Sequence, residues 1–208
     1  MSAASVRAGI HPVNLTRRPD FYVIGEIIPP GSRVLDLGCG EGELLDWLAL
    51  NKNVDARGVE ISGPRVQQAI ARGVSVFHSD LEDALADLPD QAFDYVILSQ
   101  TLQETREPLK VLRDMLRVGR RAIVAFPNFA HWSVRLAHLF TGRAPKTKLF
   151  PHDWYDSPNI HFLTVNDFES LAAGEKWTVE RRMFLQGARK VGFLPNLMAE
   201  VAVFLIRK

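Results

Sequence analysis

The chain has a single cysteine, Cys39, among its 208 residues. One thiol excludes an intrachain disulfide and a multi-thiolate metal centre, and it suits a reducing compartment. An excess of charge of one sign is also missing: 25 Lys and Arg oppose 24 Asp and Glu, a formal net charge of +1. Such a balance gives no strong field to recruit nucleic acid or acidic lipid, and neither is expected as a partner. No apolar run approaches the roughly 20 residues of a membrane-spanning helix. Met1 to Gly9 lacks the apolar core of a secretory signal, so the cytoplasm is the expected location. His11, His78, His131, His138, His152 and His161 include no pair at i, i+4, and no metal site is expected. Internal repeats and low-complexity stretches are absent. Length and an ordinary 47% hydrophobic fraction suit one domain over residues 1–208 with a full core.

What is present is a pattern of strands and helices in strict alternation. Phe21, Ile24, Ile27 and Ile28 repeat at helical spacing after Pro19, and Pro29-Pro30-Gly31 ends that helix. Short apolar runs at Arg33–Leu37, Ala56–Ile61, Val74–Phe77, Phe93–Leu98 and Arg121–Phe126 read as five strands. Helical patterns separate several of them: Gly42 to about Leu50, a segment capped by Ser62 with Pro64 in its first turn, and Pro108–Leu116. Alternation of this kind predicts a parallel, doubly wound sheet. The end of the chain differs. Thr178–Leu185 and Met198–Ile206 are strand-like, with no helix predicted between them, and fit an antiparallel pair at one sheet edge.

One region breaks the rhythm, at about residues 129–163. Apolar residues at 129, 132, 136, 139 and 140 predict a helix over Phe129–Phe140. A long loop follows, with Phe150, Trp154, Tyr155 and Phe162, before a helix that starts near Thr164 with Asp167 as its capping-box partner. Three readings of this insert stay open: a lid over a pocket, a docking surface for a partner protein, or rings that fill a core beneath it. The basic run Arg143–Lys148 reads most simply as a solvated loop rather than a membrane contact.

The most informative stretch is Val34 to Gly42, where an apolar strand ends in Asp36 and three alternating glycines, Gly38, Gly40 and Gly42. A strand that stops at a glycine turn before a helix is expected to leave bare N–H groups at the carboxyl edge of the sheet, where nucleotide-like ligands bind. Glu60 follows Gly40 by twenty positions and suits the two hydroxyls of an adenosine ribose. Asp80, in Ser79-Asp80-Leu81, suits an adenine amino group. A dinucleotide requires Gly-x-Gly-x-x-Gly, yet position 43 is Glu. Asp36 and Glu41 also put negative charge where a pyrophosphate would lie. S-adenosylmethionine (SAM) has no phosphate and carries two cationic groups, so the charge favours it.

These residues, with Phe93-Asp94-Tyr95-Val96, resemble the class I SAM-dependent methyltransferase superfamily. Longer strings resemble the MetW family of methionine-biosynthesis proteins: Pro29 to Gly40, Ser99-Gln100-Thr101-Leu102-Gln103, Phe126-Pro127-Asn128-Phe129 and Asn159-Ile160-His161-Phe162. The resemblance implies an α/β, Rossmann-like three-layer sandwich of five parallel strands plus an antiparallel edge hairpin. It implies SAM or S-adenosylhomocysteine (SAH) as cofactor, with the amino-acid end over Asp36, Gly38, Cys39 and Gly40. The ribose would lie on Glu60, the adenine beside Ile61, Asp80 and Leu81, and Ser99 and Gln100 would face the methionine moiety. It also implies a partner, a homoserine O-acyltransferase.

Catalysis is left open. The Asn/Asp-Pro-Pro-aromatic string of adenine and amide N-methyltransferases is absent, and no His stands near Leu102 or Gln103. Glu104 reads either as a base or as a helix-start carboxylate. His131, His152 and His161 read as bases or as packing residues, and Cys39 as a small residue beside the turn, although a helix N-terminus would lower its pKa. Two functions follow: an accessory or regulatory protein of methionine synthesis, or a SAM-dependent small-molecule methyltransferase. An NAD-type oxidoreductase is the third reading.

Overall fold

The computed structural model describes residues 18–208; Met1 to Gly9 and His11 lie outside the described residues. Five strands run parallel: β1 (Arg33–Leu37), β2 (Asp55–Glu60), β3 (Ser75–His78), β4 (Phe93–Ser99) and β5 (Gly119–Pro127). β6 (Thr178–Gln186) and β8 (Val201–Arg207) form the antiparallel hairpin, with β8 against β5. The sheet order is β3-β2-β1-β4-β5-β8-β6-β7. This is the architecture that the resemblance implies.

Alternation along each strand builds the two faces, because successive side chains point to opposite sides. Leu35, Leu37, Val96, Leu98, Val124 and Phe126 face one core, under α4 (Leu81–Asp87), α5 (Pro108–Val118) and α7 (Val165–Gly174). Val34, Tyr95, Ile97, Ile123 and Ala125 face the other, under α1 (Pro19–Ile27), α2 (Glu43–Lys52) and α3 (Gly63–Ala71). At roughly 1.5–3 kcal/mol per fully buried large apolar side chain, these two layers dominate the favourable side of folding.

Helix boundaries follow local chemistry. Thr164 and Asp167 form the expected capping box of α7. Ser62 occupies the N-cap of α3, but its side chain makes no capping hydrogen bond. The helix expected from Phe129 starts instead at Trp132, as α6 (Trp132–Thr141). Asn128 explains the delay: its Oδ1 accepts the Ala130 amide at 3.1 Å, an Asx turn that competes with helix. Besides α4, which the strand–helix pattern did not include, two small elements were not predicted, namely β7 (Arg189–Lys190), which extends the hairpin, and α8 (Pro195–Met198) within it. Elements of two and four residues are too short to show a period.

The rings of the insert divide. Phe129 stacks on Phe150 at 3.7 Å between centroids and meets Phe162 edge-on at 4.6 Å. Phe150 is buried, whereas Trp132, Phe140, Trp154, Tyr155 and Phe162 are exposed. The core reading therefore holds for Phe150, with Phe129 half-buried on it, and fails for the exposed rings.

The functional consequence lies at the middle of the sheet. From β1 the chain moves outward to β2 and β3, and from β4 it moves the other way to β5. The loops after β1 and β4 diverge, and this switch point opens a crevice at the carboxyl ends of the strands.

Candidate ligand-binding site

Two adjoining cavities occupy that crevice. The larger, about 340 Å³, is lined by Asp36, Gly38, Cys39, Gly40, Ser99 and Gln100. The smaller, about 150 Å³, is lined by Gly38, Glu60, Ile61, Asp80 and Leu81. All ten residues predicted from the sequence thus border one cavity or the other. The cavities share Gly38, Arg65, Thr101 and Glu104.

The glycine turn differs from expectation in one respect: its N–H groups are not bare. Gly38 and Cys39 both donate to the Val59 carbonyl, at 2.8 and 3.0 Å, and Gly42 donates to the Cys39 carbonyl at 3.0 Å. Gly40 donates to Glu60 Oε2 at 2.9 Å. Pairing with β2 runs on into the turn and consumes the Gly38 and Cys39 donors, while the Glu60 side chain and the turn's own carbonyl take those of Gly40 and Gly42. A pyrophosphate needs several free amides at this point. The turn remains open in another sense. Gly38 and Gly40 sit at φ +72° and +57°, and a Cβ built on Gly40 would meet no atom within 4 Å. It would project into free space beside the cavity, the cradle that a close-lying ligand requires.

Glu60 ends β2 and is buried; its second oxygen accepts the Ser62 amide at 2.8 Å. A carboxylate offers about four lone-pair sites, so two remain for ribose hydroxyls. Asp80 caps α4, its Oδ1 accepting the Glu82 amide at 2.8 Å. Its other oxygen accepts no bond among the described residues and remains available to a donor. Ile61 is 64% exposed and presents an apolar flank at the smaller cavity.

Asp36 is buried at the floor of the larger cavity. Burial pushes its carboxyl up to about 7, against the pull of the Arg18 guanidinium, with Asp20 and Glu60 adding to the rise. Cys39 behaves oppositely to a helix-terminus thiol. Burial, then Asp36 and Glu60, push its thiol upward, and its Sγ packs on Gly58. An inert structural thiol results.

Ser99 and Gln100 close the far wall. The Ser99 hydroxyl donates to Asp20 Oδ2 at 2.6 Å, and Arg18 holds the same carboxylate through Nε and Nη2 at 3.2 and 2.9 Å. Arg18 also lies over the Phe21 ring at 4.1 Å and lines the larger cavity. Gln100 is left-handed at φ +58°, a strained state for a residue with a side chain. It is held there by its amide on the Ala125 carbonyl at 2.8 Å and by Gln103 Nε2 on its own carbonyl at 2.8 Å.

Sequence reasoning missed Arg18, Asp20, Arg65 and Thr101. Arg18-Pro19-Asp20 looks like any charged helix start, and nothing local signals a fold-back onto Ser99, 79 residues away. Glu104 moves from its helix-start reading: it ends a 3₁₀ turn, Leu102–Glu104, ahead of α5, and lines both cavities. Glu104 is exposed, and partial desolvation at the cavity wall raises its carboxyl against the attraction of Arg65 and His152. His131, His152 and His161 line neither cavity. His131 is buried at the N-cap of α6, and burial lowers its pKa. Among the described residues, no group of three or more His, Cys, Asp or Glu is placed to hold a metal ion.

A switch-point crevice of this form, on a sheet of this order, is the architecture of class I SAM-dependent methyltransferases. The chain is similar in fold to a SAM-dependent methyltransferase from Thermotoga maritima, with 18% identity, 93% of this chain and 91% of that one covered, and a TM-score of 0.64. It is equally similar to the magnesium protoporphyrin IX methyltransferase of Synechocystis PCC 6803 solved with bound SAH, at 18% identity, 93% and 83% coverage, and a TM-score of 0.64. Residues 18–206 match the family described as methionine biosynthesis protein MetW, and the chain belongs to that family. A bifunctional methionine biosynthesis protein MetXA/MetW from Rhodopirellula baltica is 37% identical over 95% of this chain. The chain spans about a third, 34%, of that relative's length. Among the described residues no helix is long and apolar enough to cross a membrane.

Proposed function

We propose that the two cavities bind SAM or SAH, and that the protein serves methionine biosynthesis as an accessory or regulatory partner of a homoserine O-acyltransferase. The observation that carries the ligand reading is the state of the glycine turn. The amides of Gly38, Cys39, Gly40 and Gly42 are taken by Val59, Glu60 and Cys39, which leaves few turn donors for a pyrophosphate, and the carboxylates of Glu41 and Glu43 beside them disfavour NAD. Acidic floor and walls suit a ligand with an ammonium and a sulfonium. In this reading Asp36, Gly38, Cys39, Gly40, Ser99 and Gln100 take the amino-acid half. Glu60, Ile61, Asp80 and Leu81 take the nucleoside. Bound SAM supplies an electrophilic methyl group. The protein's residues orient it and exclude water.

The partner reading is supported by the relative whose name joins MetXA and MetW in one chain. We take its MetXA part as the counterpart of the homoserine O-acyltransferase. Fusion in one organism is a common mark of association between separate chains in another. The expected setting is the cytoplasm, without nucleic acid or membrane. A second reading, a small-molecule methyltransferase, is favoured by Glu104 at both cavities. Copurification of the tagged protein with the acyltransferase of the same organism, and calorimetry with SAM, SAH and NAD, test the proposal. Binding of NAD with SAM silent would overturn the ligand reading. Methyl turnover on a metabolite extract, with no copurifying acyltransferase, would favour the enzyme.

A further inference from the structure

The two cavities meet along a seam built from Gly38, Arg65, Thr101 and Glu104. On the SAM-binding reading, a ligand with its nucleoside in the smaller cavity and its amino acid in the larger has its linking sulfur at this seam. In SAM that sulfur is a sulfonium with a full positive charge. In SAH it is a neutral thioether. Chemistry at the seam therefore decides between the two.

Gly38 offers only backbone there, and its amide is already committed to Val59. The Thr101 hydroxyl donates to the Ser99 carbonyl at 3.1 Å, so its proton is committed too. Arg65 is a cation on α3. Glu104 is the one anionic side chain common to both cavities. Among the described residues it makes no ion pair with Arg65 or His152, which act on it only through space. Its charge is not neutralised by a fixed partner and stays available to a ligand.

We propose that Glu104 is a specificity-determining residue that makes the site select the sulfonium, so that the protein distinguishes SAM from SAH. Glu104 and Arg65 are exposed residues, so solvent screens them, and a unit pair several ångströms apart then shifts an affinity by about one to two orders of magnitude. Arg65 at the same seam opposes it, and about a tenfold preference for SAM remains. Such a preference makes occupancy report the methylated cofactor rather than the sum of both forms.

The test is calorimetry on the full chain with SAM, SAH and sinefungin, which carries an ammonium in place of the sulfonium. The unaltered protein is expected to bind SAM and sinefungin about tenfold more tightly than SAH. Glu104→Gln should abolish or reverse the preference by weakening the cationic ligands alone, because Arg65 still opposes them. Unchanged SAH affinity shows that the variant is folded. Glu104→Asp should keep part of the preference, and Arg65→Met should widen it. Equal binding of SAM and SAH by the unaltered protein, or an unchanged ratio in Glu104→Gln, overturns the proposal. Binding of neither ligand by a cooperatively unfolding protein overturns the SAM reading itself.

Discussion

Glu60 Oε2 accepts the amide hydrogen of Gly40 at 2.9 Å, across twenty residues of chain. With Oε1 on the Ser62 amide, one buried carboxylate ties the end of β2 to the turn after β1 and to the start of α3. Hydrogen bonds to a charged acceptor contribute about 1.5–3 kcal/mol each, and a buried donor left unpaired costs about as much. Glu60→Ala is therefore expected to destabilise the protein by about 2–4 kcal/mol in urea unfolding. It should also weaken SAM more than tenfold. A loss of binding at unchanged stability would show that Glu60 serves the ligand alone.

Gly40→Val separates strain from space. The position is left-handed at φ +57°, which a β-branched side chain rarely adopts, and no protein atom lies within 4 Å of the added Cβ. Strain should cost about 1–2 kcal/mol of stability. Binding should vanish, because the new methyl groups fill ligand space. Urea unfolding and calorimetry on one preparation check both. Retained SAM affinity would place the ligand away from the turn.

The turn, the five parallel strands and the edge hairpin were legible because they rest on local signals: apolar runs of strand length, helical periods between them, and glycine punctuation. Glu60 and Asp80 were legible because they follow strand ends at set spacing. Arg18, Asp20, Thr101 and Arg65 were not, because their place is made by tertiary contact. α1 packs on β8 and β6, and its first turn reaches the end of β4, so that Asp20 meets Ser99; no pattern within either segment encodes this meeting. Glu104 was visible as an acid, but its direction depends on the 3₁₀ turn that three residues, Leu102–Glu104, form ahead of α5.

Asp36 links stability and binding to pH. Its carboxyl, ordinarily near 3.8, is raised to about 7 by burial. Between these values the native state holds a proton that the unfolded chain has released, so stability from this residue falls as pH rises from about 4 to 7 and the penalty is complete above. Asp36→Asn removes that penalty and should stabilise the protein by about 2–4 kcal/mol at pH 8, with little gain at pH 4. Ligand binding has the opposite sign. An ammonium favours the ionised carboxylate, so SAM affinity should climb through pH 7 with release of a fraction of a proton. Calorimetry in buffers of different ionisation enthalpy measures that proton. Asp36→Asn should lose SAM affinity and its pH dependence together; an unchanged profile would remove Asp36 from the amino-acid subsite.

The insert supplies the last prediction, because its rings fall into two groups with different expected costs. Phe150 is buried and stacked on Phe129, so Phe150→Ala should destabilise the protein by about 3–5 kcal/mol. Trp154 is 80% exposed and meets Tyr155 edge-on at 5.6 Å, and Trp132 is 42% exposed on α6. Surface truncations of this kind should change stability by no more than about 0.5 kcal/mol each. If the segment docks the acyltransferase, these same rings are the anchors, since tryptophans buried at an interface commonly contribute 2 kcal/mol or more. Trp132→Ala with Trp154→Ala is then expected to weaken binding of purified homoserine O-acyltransferase at least thirtyfold, with the unfolding midpoint and SAM affinity held. Unchanged partner affinity in that double variant would assign the interface to another face of the protein.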